Sequence, residues 1–352
     1  LNAGNSGTVG RLILPLLIKS PYKIKIIGDK SLSKRDFLRV IEPLNMIGAK
    51  FYPKDKSKLP ISIAGSNYLR PITYYEKKGS AQCKTCVMLA SLNTPGEMKI
   101  YAKRSRNHTE LMFKNIDIPI KIKNKKKFSL IKTSSPRELN GFDYNIPGDI
   151  SSGAFFIALT LLSKNSKLKL KNINLNPTRL GILKILNKMG ARIKTKNTKT
   201  IKGEKCGDII VKSNNKLRAI NCPTSLNSSA IDEFLIIFLL AAKSKGVSYF
   251  KELSELNKKE SPRLKLGSKI LNMIGIKTKL TDNTIKIYGN PNLRLDRKFE
   301  MKNYLKDHRI MAMCTIAALT LGGKWKIYDP NSINTSFPSF LKILRKSFGV
   351  KI

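Results

Sequence analysis

Acidic side chains are scarce in this chain, with 23 Asp and Glu against 67 Lys and Arg over 352 residues and a formal charge of +44. Such an excess suits a phosphate-rich partner, because cation–phosphate contacts dominate nucleic-acid binding. The distribution argues otherwise. Lysines are scattered through nearly every loop and strand, and the one dense run, Lys121 to Lys127, is broken by Ile122 and Asn124. Aromatics make up only 7% of the chain and do not interleave with the basic residues, so no base-stacking platform is evident. A lysine-rich solvated surface is the simpler account, and no nucleic-acid partner is expected.

Histidine and cysteine are sparse as well. His108 and His308, the only two histidines, lie too far apart in sequence to give metal-ligand spacing. Five cysteines, odd in number and irregularly spaced, make no disulfide framework and point to a reducing, cytoplasmic setting. Cys83 and Cys86 form a C-x-x-C, but Ala81 to Ala90 reads as helix with no second Cys/His pair nearby. Both are packed helix positions on this reading, with no zinc or redox role. Long apolar runs are missing too. Nothing reaches the roughly 18 apolar residues that span a bilayer, and the longest run, Phe234 to Ala242, has the length of a core helix. No charged region precedes the first helix, so no signal peptide is visible, and a chain opening on Leu1 reads as a fragment.

A length of 352 residues exceeds the usual single-core limit, so two domains are the default, and 41% hydrophobic content fills their cores. One phrase recurs along the chain, as Leu44-Asn-Met-Ile-Gly-Ala49, Leu186-Asn-Lys-Met-Gly-Ala191, Leu271-Asn-Met-Ile-Gly-Ile276 and, more loosely, Leu344-Arg-Lys-Ser-Phe-Gly-Val350. Each phrase ends an amphipathic helix on a glycine suited to the left-handed position after it, and alternating residues such as Arg192-Ile-Lys-Thr or Lys277-Thr-Lys-Leu follow as strand. Between these lie helices apolar around their whole circumference and therefore buried, at Ser152 to Leu162, Ile231 to Ala242 and Met311 to Leu321. Strands at Lys167 to Lys171 and Lys324 to Tyr328 follow the first and last of them. The order predicts a β-α-β-α-β-β unit used several times in an α/β fold, with a period too long for a solenoid. Turn formers from Asn140 to Gly148 mark a boundary, dividing the chain into 1–146 and 147–352.

Basic residues crowd the starts of apolar helices at Asn257-Lys-Lys-Glu-Ser-Pro-Arg263 and Asp307-His-Arg-Ile-Met-Ala-Met313. A cation there opposes the helix dipole at a cost of about 0.3–1 kcal/mol, so something anionic should offset it. Asn5-Ser-Gly-Thr8, leading into a helix that carries Arg11, repeats the arrangement with a small glycine turn that exposes backbone N–H groups. Three such places suggest more than one phosphate or carboxylate.

These segments, with Lys34-Arg35, Ser80-Ala-Gln82, Pro147-Gly-Asp-Ile-Ser-Ser152, Asn176-Pro-Thr-Arg179, Ile231-Asp-Glu233 and Thr335-Ser-Phe-Pro338, occur in an order that resembles the 3-phosphoshikimate 1-carboxyvinyltransferase (EPSP synthase) family across essentially the whole chain. The resemblance implies two globular domains of repeated βαβαββ units, an inside-out α/β barrel architecture with buried helix N-termini facing the cleft between the domains. It implies transfer of the enolpyruvyl group of phosphoenolpyruvate to the 5-hydroxyl of shikimate 3-phosphate with release of phosphate, by a monomer without metal or organic cofactor. Asp232 is then the base and Glu260 its acid–base partner. Gly7, Arg35, Gln82, Arg263 and Arg309 match the phosphoenolpyruvate contacts, the arginines through their bidentate forks. Ser80, Ala81, Gln82, Ser105, Asp232 and Lys259, with Arg106 and Asn257 as weaker candidates, match the contacts to shikimate 3-phosphate. His308 falls beside Arg309 in a phosphoenolpyruvate pocket, and His108 near Ser105.

Taken alone, each residue has a plainer reading. Asp232 and Ser80 are suitable helix caps, a turn glycine is usually structural, and most arginines in so basic a chain lie on the surface. The order of the motifs outweighs these.

Family members also begin with a Pro-Gly-x-Lys-Ser segment that is not present here. The expectations are uncovered apolar surface and strand edges, and little or no activity from these residues alone. Pro262 stands where Asp is common, Asp36 follows Arg35 where Pro is usual, and Thr335 replaces a lysine of some members. A nonfunctional remnant is one rival reading, against which the intact motifs at every later position argue; the other two are specific functions. The enolpyruvyltransferase acting on UDP-N-acetylglucosamine uses a reactive loop cysteine, whereas Cys83, Cys86 and Cys314 fall in helical patterns. A basic RNA-binding or RNA-end-processing protein on a related fold would show steep salt dependence.

Overall fold

Gly48, Gly190, Gly275 and Gly349, the glycines of the repeated phrase, have φ of 119°, 87°, 84° and 63°. Each holds the left-handed conformation that side chains disfavour, and so stops its helix where the sequence predicts. The structure, a computed structural model, describes residues 1–53, 57–77, 79–213 and 216–349. Val350, the last residue of the fourth phrase, lies outside them.

The chain divides into two compact units, residues 1–145 with 202–204, and residues 146–201 with 205–352. The division falls one residue before the end of 1–146, and 202–204, placed in 147–352 on sequence grounds, group with unit 1. Lys202 and Gly203 are the turn joining two long strands, the second of which opens on Glu204, and both strands extend farther than the short alternating runs of the sequence suggest.

Unit 1 runs α1 (Gly7–Leu12), β1 (Lys23–Ile26), α2 (Leu38–Ile47), β2 (Lys50–Tyr52), β3 (Ile61–Ala64), β4 (Thr73–Glu76), α3 (Ala81–Ala90), β5 (Glu97–Ala102), α4 (His108–Asn115), β6 (Ile120–Asn124) and β7 (Ser129–Ser134). From β4 onward this is a complete βαβαββ unit, folded as a four-stranded sheet of order β4-β5-β7-β6 in which β4 and β5 are parallel. The preceding half forms the sheet β1-β3-β2. Its first strand shrinks to one parallel bridge between Asn2 and Ile27. Val40, Ile41, Leu44 and Ile47 supply the buried face of α2, and meet Val87 and Met88 of α3 in one core.

Unit 2 continues with α5 (Ile150–Leu162), β8 (Lys167–Asn174), α6 (Gly181–Lys188), β9 (Arg192–Ile201), β10 (Glu204–Lys212), α7 (Asn227–Ala230), α8 (Phe234–Ala242), β11 (Gly246–Phe250), α9 (Arg263–Met273), β12 (Thr278–Leu280), β13 (Ile285–Gly289), β14 (Leu295–Met301), α10 (His308–Leu321), β15 (Gly322–Ile327) and α11 (Phe340–Phe348). Glu204, the first residue of β10, groups with unit 1. The sheets β8-β10-β9 and β11-β13-β12 repeat the three-stranded pattern. Parallel bridges Gly148–Ile173, Arg218–Lys245 and Asn221–Tyr249 stand where a fourth strand would. The parallel pair β14–β15 flanks α10.

The three all-apolar helices of the sequence are α5, α8 and α10, and they pack together in the core of unit 2. All nine residues of α8 are buried; each large aliphatic or aromatic side chain removed from water in this way contributes about 1.5–3 kcal/mol. The start of α8 departs from expectation. Ile231, Asp232 and Glu233 form a turn, and the helix begins at Phe234. Two successive carboxylates inside so apolar a helix would each need a buried partner, whereas a turn ahead of it leaves Asp232 partly exposed.

Candidate active site

The candidate residues fall into two groups, one in each unit. In unit 1, Ser6 caps α1 by accepting from the Val9 N–H at 3.1 Å, which sets Gly7 as the first helical residue. A Cβ on Gly7 would lie 3.0 Å from Arg35 Nη1 and 3.5 Å from Arg11 Nη1. Two guanidinium groups thus converge on the backbone at a helix start, a geometry suited to a small dianion. Arg11 is held there, its Nη1 donating to Gln82 Oε1 at 2.7 Å and its Nη2 to the Asp36 carbonyl at 2.9 Å. Burial, followed by the charges of Arg39 and Arg35, lowers the Arg11 guanidinium from its usual value. Gln82 also donates to Thr8 Oγ1 at 3.0 Å, so it bridges α3 and α1.

Asp36, a departure from the family pattern, has a local explanation. Its carboxylate accepts from the Leu38 N–H at 2.8 Å and so satisfies the start of α2. Ser80 is the N-cap of α3, accepting from the Cys83 N–H at 3.3 Å, with Ala81 next. The plain reading of Ser80 is therefore realised, and it leaves the first N–H groups of α3 facing outward beside Gln82. Ser105 and Arg106 lie between β5 and α4; Ser105 Oγ is buried without a hydrogen-bond partner among the described residues. His108 is drawn to Glu204, Nδ1 to Oε1 at 2.5 Å.

In unit 2, Arg263 is the centre of the second group. It opens α9, is 1% exposed, and meets three carboxylates: Nε lies 2.9 Å from Asp307 Oδ2, Nη2 lies 2.5 Å from Glu260 Oε2, and Nη1 lies 3.7 Å from Asp232 Oδ1. The anion that a cation at this helix start calls for is thus supplied first by the protein itself. Although burial disfavours its charge, Asp307, Glu260 and Asp232 raise the guanidinium above its usual value. Lys259 Nζ reaches Asp232 Oδ1 at 3.2 Å. Pro262 occupies the N-cap of α9, where the Leu266 N–H bonds to its carbonyl at 2.9 Å and no N–H of its own is required.

Asp307, to which the sequence motif assigns no role, is the organising anion. It caps α10 by accepting from the Arg309 N–H at 2.9 Å, and also accepts from Ser261 Oγ at 2.7 Å. Burial raises its carboxyl, but the charge and hydrogen bonds of Arg263 outweigh burial and bring it to about 2. Next to it His308 is pushed down to about 4 by burial and by the charge of Arg309. His308 and Arg309 line a cavity of about 60 Å³ together with Asp149, Ser152 and Ser336.

A buried chain lies behind Asp232. Glu233, 2% exposed, accepts from Ser151 Oγ, which accepts in turn from Arg179 Nη2 at 2.7 Å. Arg179 Nη2 also donates to Asp149 Oδ1 at 2.7 Å. Burial first, then the charge of Asp232, raises the Glu233 carboxyl. Asn257 is not part of the Arg263 cluster; its side chain ties the turn ahead of α9 to the Asp282 carbonyl and the Lys265 N–H, both at 3.4 Å.

Cys83 and Cys86 lie in α3 and Cys314 in α10, all buried. Burial pushes the Cys314 thiol up to about 12 and raises the other two. A reactive loop thiolate is not what they offer.

Known proteins resemble this chain over nearly its whole length. The family model described as EPSP synthase (3-phosphoshikimate 1-carboxyvinyltransferase) matches residues 1–344. The 3-phosphoshikimate 1-carboxyvinyltransferase of Ruthia magnifica is 38% identical over 353 aligned residues, covering 100% of this chain and 79% of that protein. That of Petrotoga mobilis is 36% identical over 348 residues, covering 98% and 79%. Among solved structures, EPSP synthase from Acinetobacter baumannii superimposes with a TM-score of 0.85 at 31% identity, over 98% of this chain and 78% of that one. The enolpyruvyl transferase NikO from Streptomyces tendae shares the fold, with a TM-score of 0.72 at 15% identity over 95% and 74% of the two chains.

Proposed function

This chain belongs to the EPSP synthase family, and from that premise we propose how its own residues carry enolpyruvyl transfer to shikimate 3-phosphate. The observation that carries the proposal is the Arg263 guanidinium, which gathers Asp232 from the turn before α8, Glu260 from the turn before α9 and Asp307 from the cap of α10. Two of the three, Asp232 and Glu260, serve as the base and the acid that an addition–elimination reaction requires.

In the addition, Asp232 takes the proton of the 5-hydroxyl while the 5-oxygen of shikimate 3-phosphate bonds to C2 of phosphoenolpyruvate, and Glu260 delivers a proton to the methylene carbon, which becomes a methyl group. In the elimination, Glu260 recovers a proton from that methyl group, the C2–O bond to phosphate breaks, and phosphate departs with the proton that Asp232 had taken, which restores the base. Lys259, 3.2 Å from Asp232, places a cation beside the base. In unit 1, Gly7, Arg35 and Gln82 are proposed phosphoenolpyruvate contacts, as are Arg263 and Arg309 in unit 2. Ser80, Ala81, Ser105 and Arg106 present donors to the phosphorylated ring. Such donors act by matching charge that exists or develops in the transition state, which is where fixed groups are most effective.

The partners on this reading are the two small anionic substrates, and the active species is a cytoplasmic monomer. Among the described residues no single helix is long and apolar enough to cross a membrane.

The passing methyl intermediate gives a direct test. Turnover in deuterated water should place deuterium in the methylene group of the enolpyruvyl product, read by mass spectrometry or proton NMR. A product formed without deuterium in that group would exclude the addition–elimination route.

A further inference from the structure

We propose that Lys84 and Glu110 act as a positioning pair for the loop that carries Ser105 and Arg106 to the phosphorylated substrate. The inference rests on the reading of Ser105 as a contact to that substrate, and it concerns residues to which that reading assigns no part.

Lys84 lies one turn into α3, beyond the Ser80 cap, and is 3% exposed; Glu110 lies in the first turn of α4 and is 6% exposed. Lys84 Nζ is 2.5 Å from Glu110 Oε1 and donates to the Arg106 carbonyl at 2.8 Å. One turn position later, Thr85 Oγ1 meets Thr109 Oγ1 at 2.7 Å. The beginning of α3, which holds Ser80 and Gln82, is therefore stitched to residues 106–110 at three places. The residue just before that stitched stretch is Ser105, whose Oγ is buried without a hydrogen-bond partner among the described residues.

Two alternatives fit less well. A lysine near a helix start is a natural phosphate ligand, but this ammonium is buried and already paired with a carboxylate, so it has neither the exposure nor the free charge for that task. A purely structural ion pair is also a poor account, because a buried pair is often no more stabilising than apolar residues of the same volume. What an apolar pair would lack is the bond to the Arg106 carbonyl. That bond fixes the backbone next to Ser105, and a buried hydroxyl with no protein partner is costly unless a ligand meets it. The same α3 thus presents its own cap and, through Lys84, holds a second segment in register with it.

The test compares three forms of the chain, each joined to a relative's Pro-Gly-x-Lys-Ser segment, for binding of shikimate 3-phosphate by calorimetry and for the two Michaelis constants. The double variant Lys84→Met with Glu110→Leu removes both charges together and keeps an apolar core. It should fold, yet bind shikimate 3-phosphate on the order of tenfold more weakly, with the Michaelis constant for phosphoenolpyruvate changed less than about twofold. Glu110→Gln keeps an acceptor and the carbonyl bond but leaves the ammonium unneutralised. It should melt at lower temperature than the double variant and still bind shikimate 3-phosphate more tightly than it. This crossing of stability and affinity is what a merely structural pair cannot give. If affinity instead follows stability across the three forms, or the double variant binds as the parent does, the positioning role is wrong. If the parent itself shows no binding of shikimate 3-phosphate, the substrate reading of Ser105 fails and the inference falls with it.

Discussion

Asp307 and Arg263 face each other inside unit 2, with Nε to Oδ2 at 2.9 Å and Nη2 to Oδ1 at 3.2 Å, and their side chains are 0% and 2% exposed. The pair joins the cap of α10 to the first residue of α9, so it sets the directions of two helix starts at once. Removing the carboxylate would leave a buried guanidinium with less compensation, a loss of about 3–5 kcal/mol. Asp307→Asn should therefore lower the urea midpoint strongly. It should also weaken turnover, since Arg263 would no longer be held against Asp232 and Glu260. A variant with unchanged stability would show that the pair does not organise this region.

Acid should loosen the same region in a defined window. His308 is neutral in the fold down to about pH 4 although its ordinary value is 6.5. Between those values the unfolded chain binds the proton and the folded chain does not. Stability therefore falls as pH drops below about 6.5, by up to about 1.4 kcal/mol per pH unit, and this contribution levels off near 4. Asp307, brought from 3.8 to about 2, adds a loss as pH falls through that lower range. Urea midpoints measured between pH 4 and 7 should slope downward toward acid, and His308→Gln should flatten the slope. An unchanged slope in that variant would assign it to other groups.

Gly7→Ala separates binding from folding. The added methyl would stand 3.0 Å from Arg35 Nη1, the tip of a side chain that can yield without disturbing the backbone. Stability should hold or rise by up to about 1 kcal/mol, because alanine restricts the unfolded chain. The Michaelis constant for phosphoenolpyruvate should rise about tenfold through the displaced guanidinium, with that for shikimate 3-phosphate little altered. Equal effects on both constants would contradict the assignment of Gly7 to the phosphoenolpyruvate side.

Much of the scaffold was legible in the sequence because its signals are local. The glycines after Ile47, Met189 and Ile274 stop helices through their own backbone freedom, and the uninterrupted apolar run Phe234 to Ala242 had to be buried. The motif order also led to the carboxylates around Arg263. The partners were harder to see. Asp307 lies 44 positions from Arg263 and Glu110 lies 26 from Lys84, and nothing local links members of such pairs. The start of α8 was misplaced because composition alone does not separate a carboxylate in a first turn from one in the turn before it. Reading the crowded cations at helix starts as a call for anions was sound in its physics, yet at α9 much of the answer is protein carboxylate.

Asp232 and Glu260, gathered by Arg263, are the residues proposed to perform enolpyruvyl transfer. The most direct test is phosphate release, dependent on both shikimate 3-phosphate and phosphoenolpyruvate, from the chain alone and from the chain joined to a relative's Pro-Gly-x-Lys-Ser segment, each with and without Asp232→Asn. Release should require both substrates in the joined protein and fall by about 10²–10⁴ in the variant, the usual contribution of a positioned base. Release that ignores shikimate 3-phosphate, or that survives Asp232→Asn undiminished, would contradict that assignment.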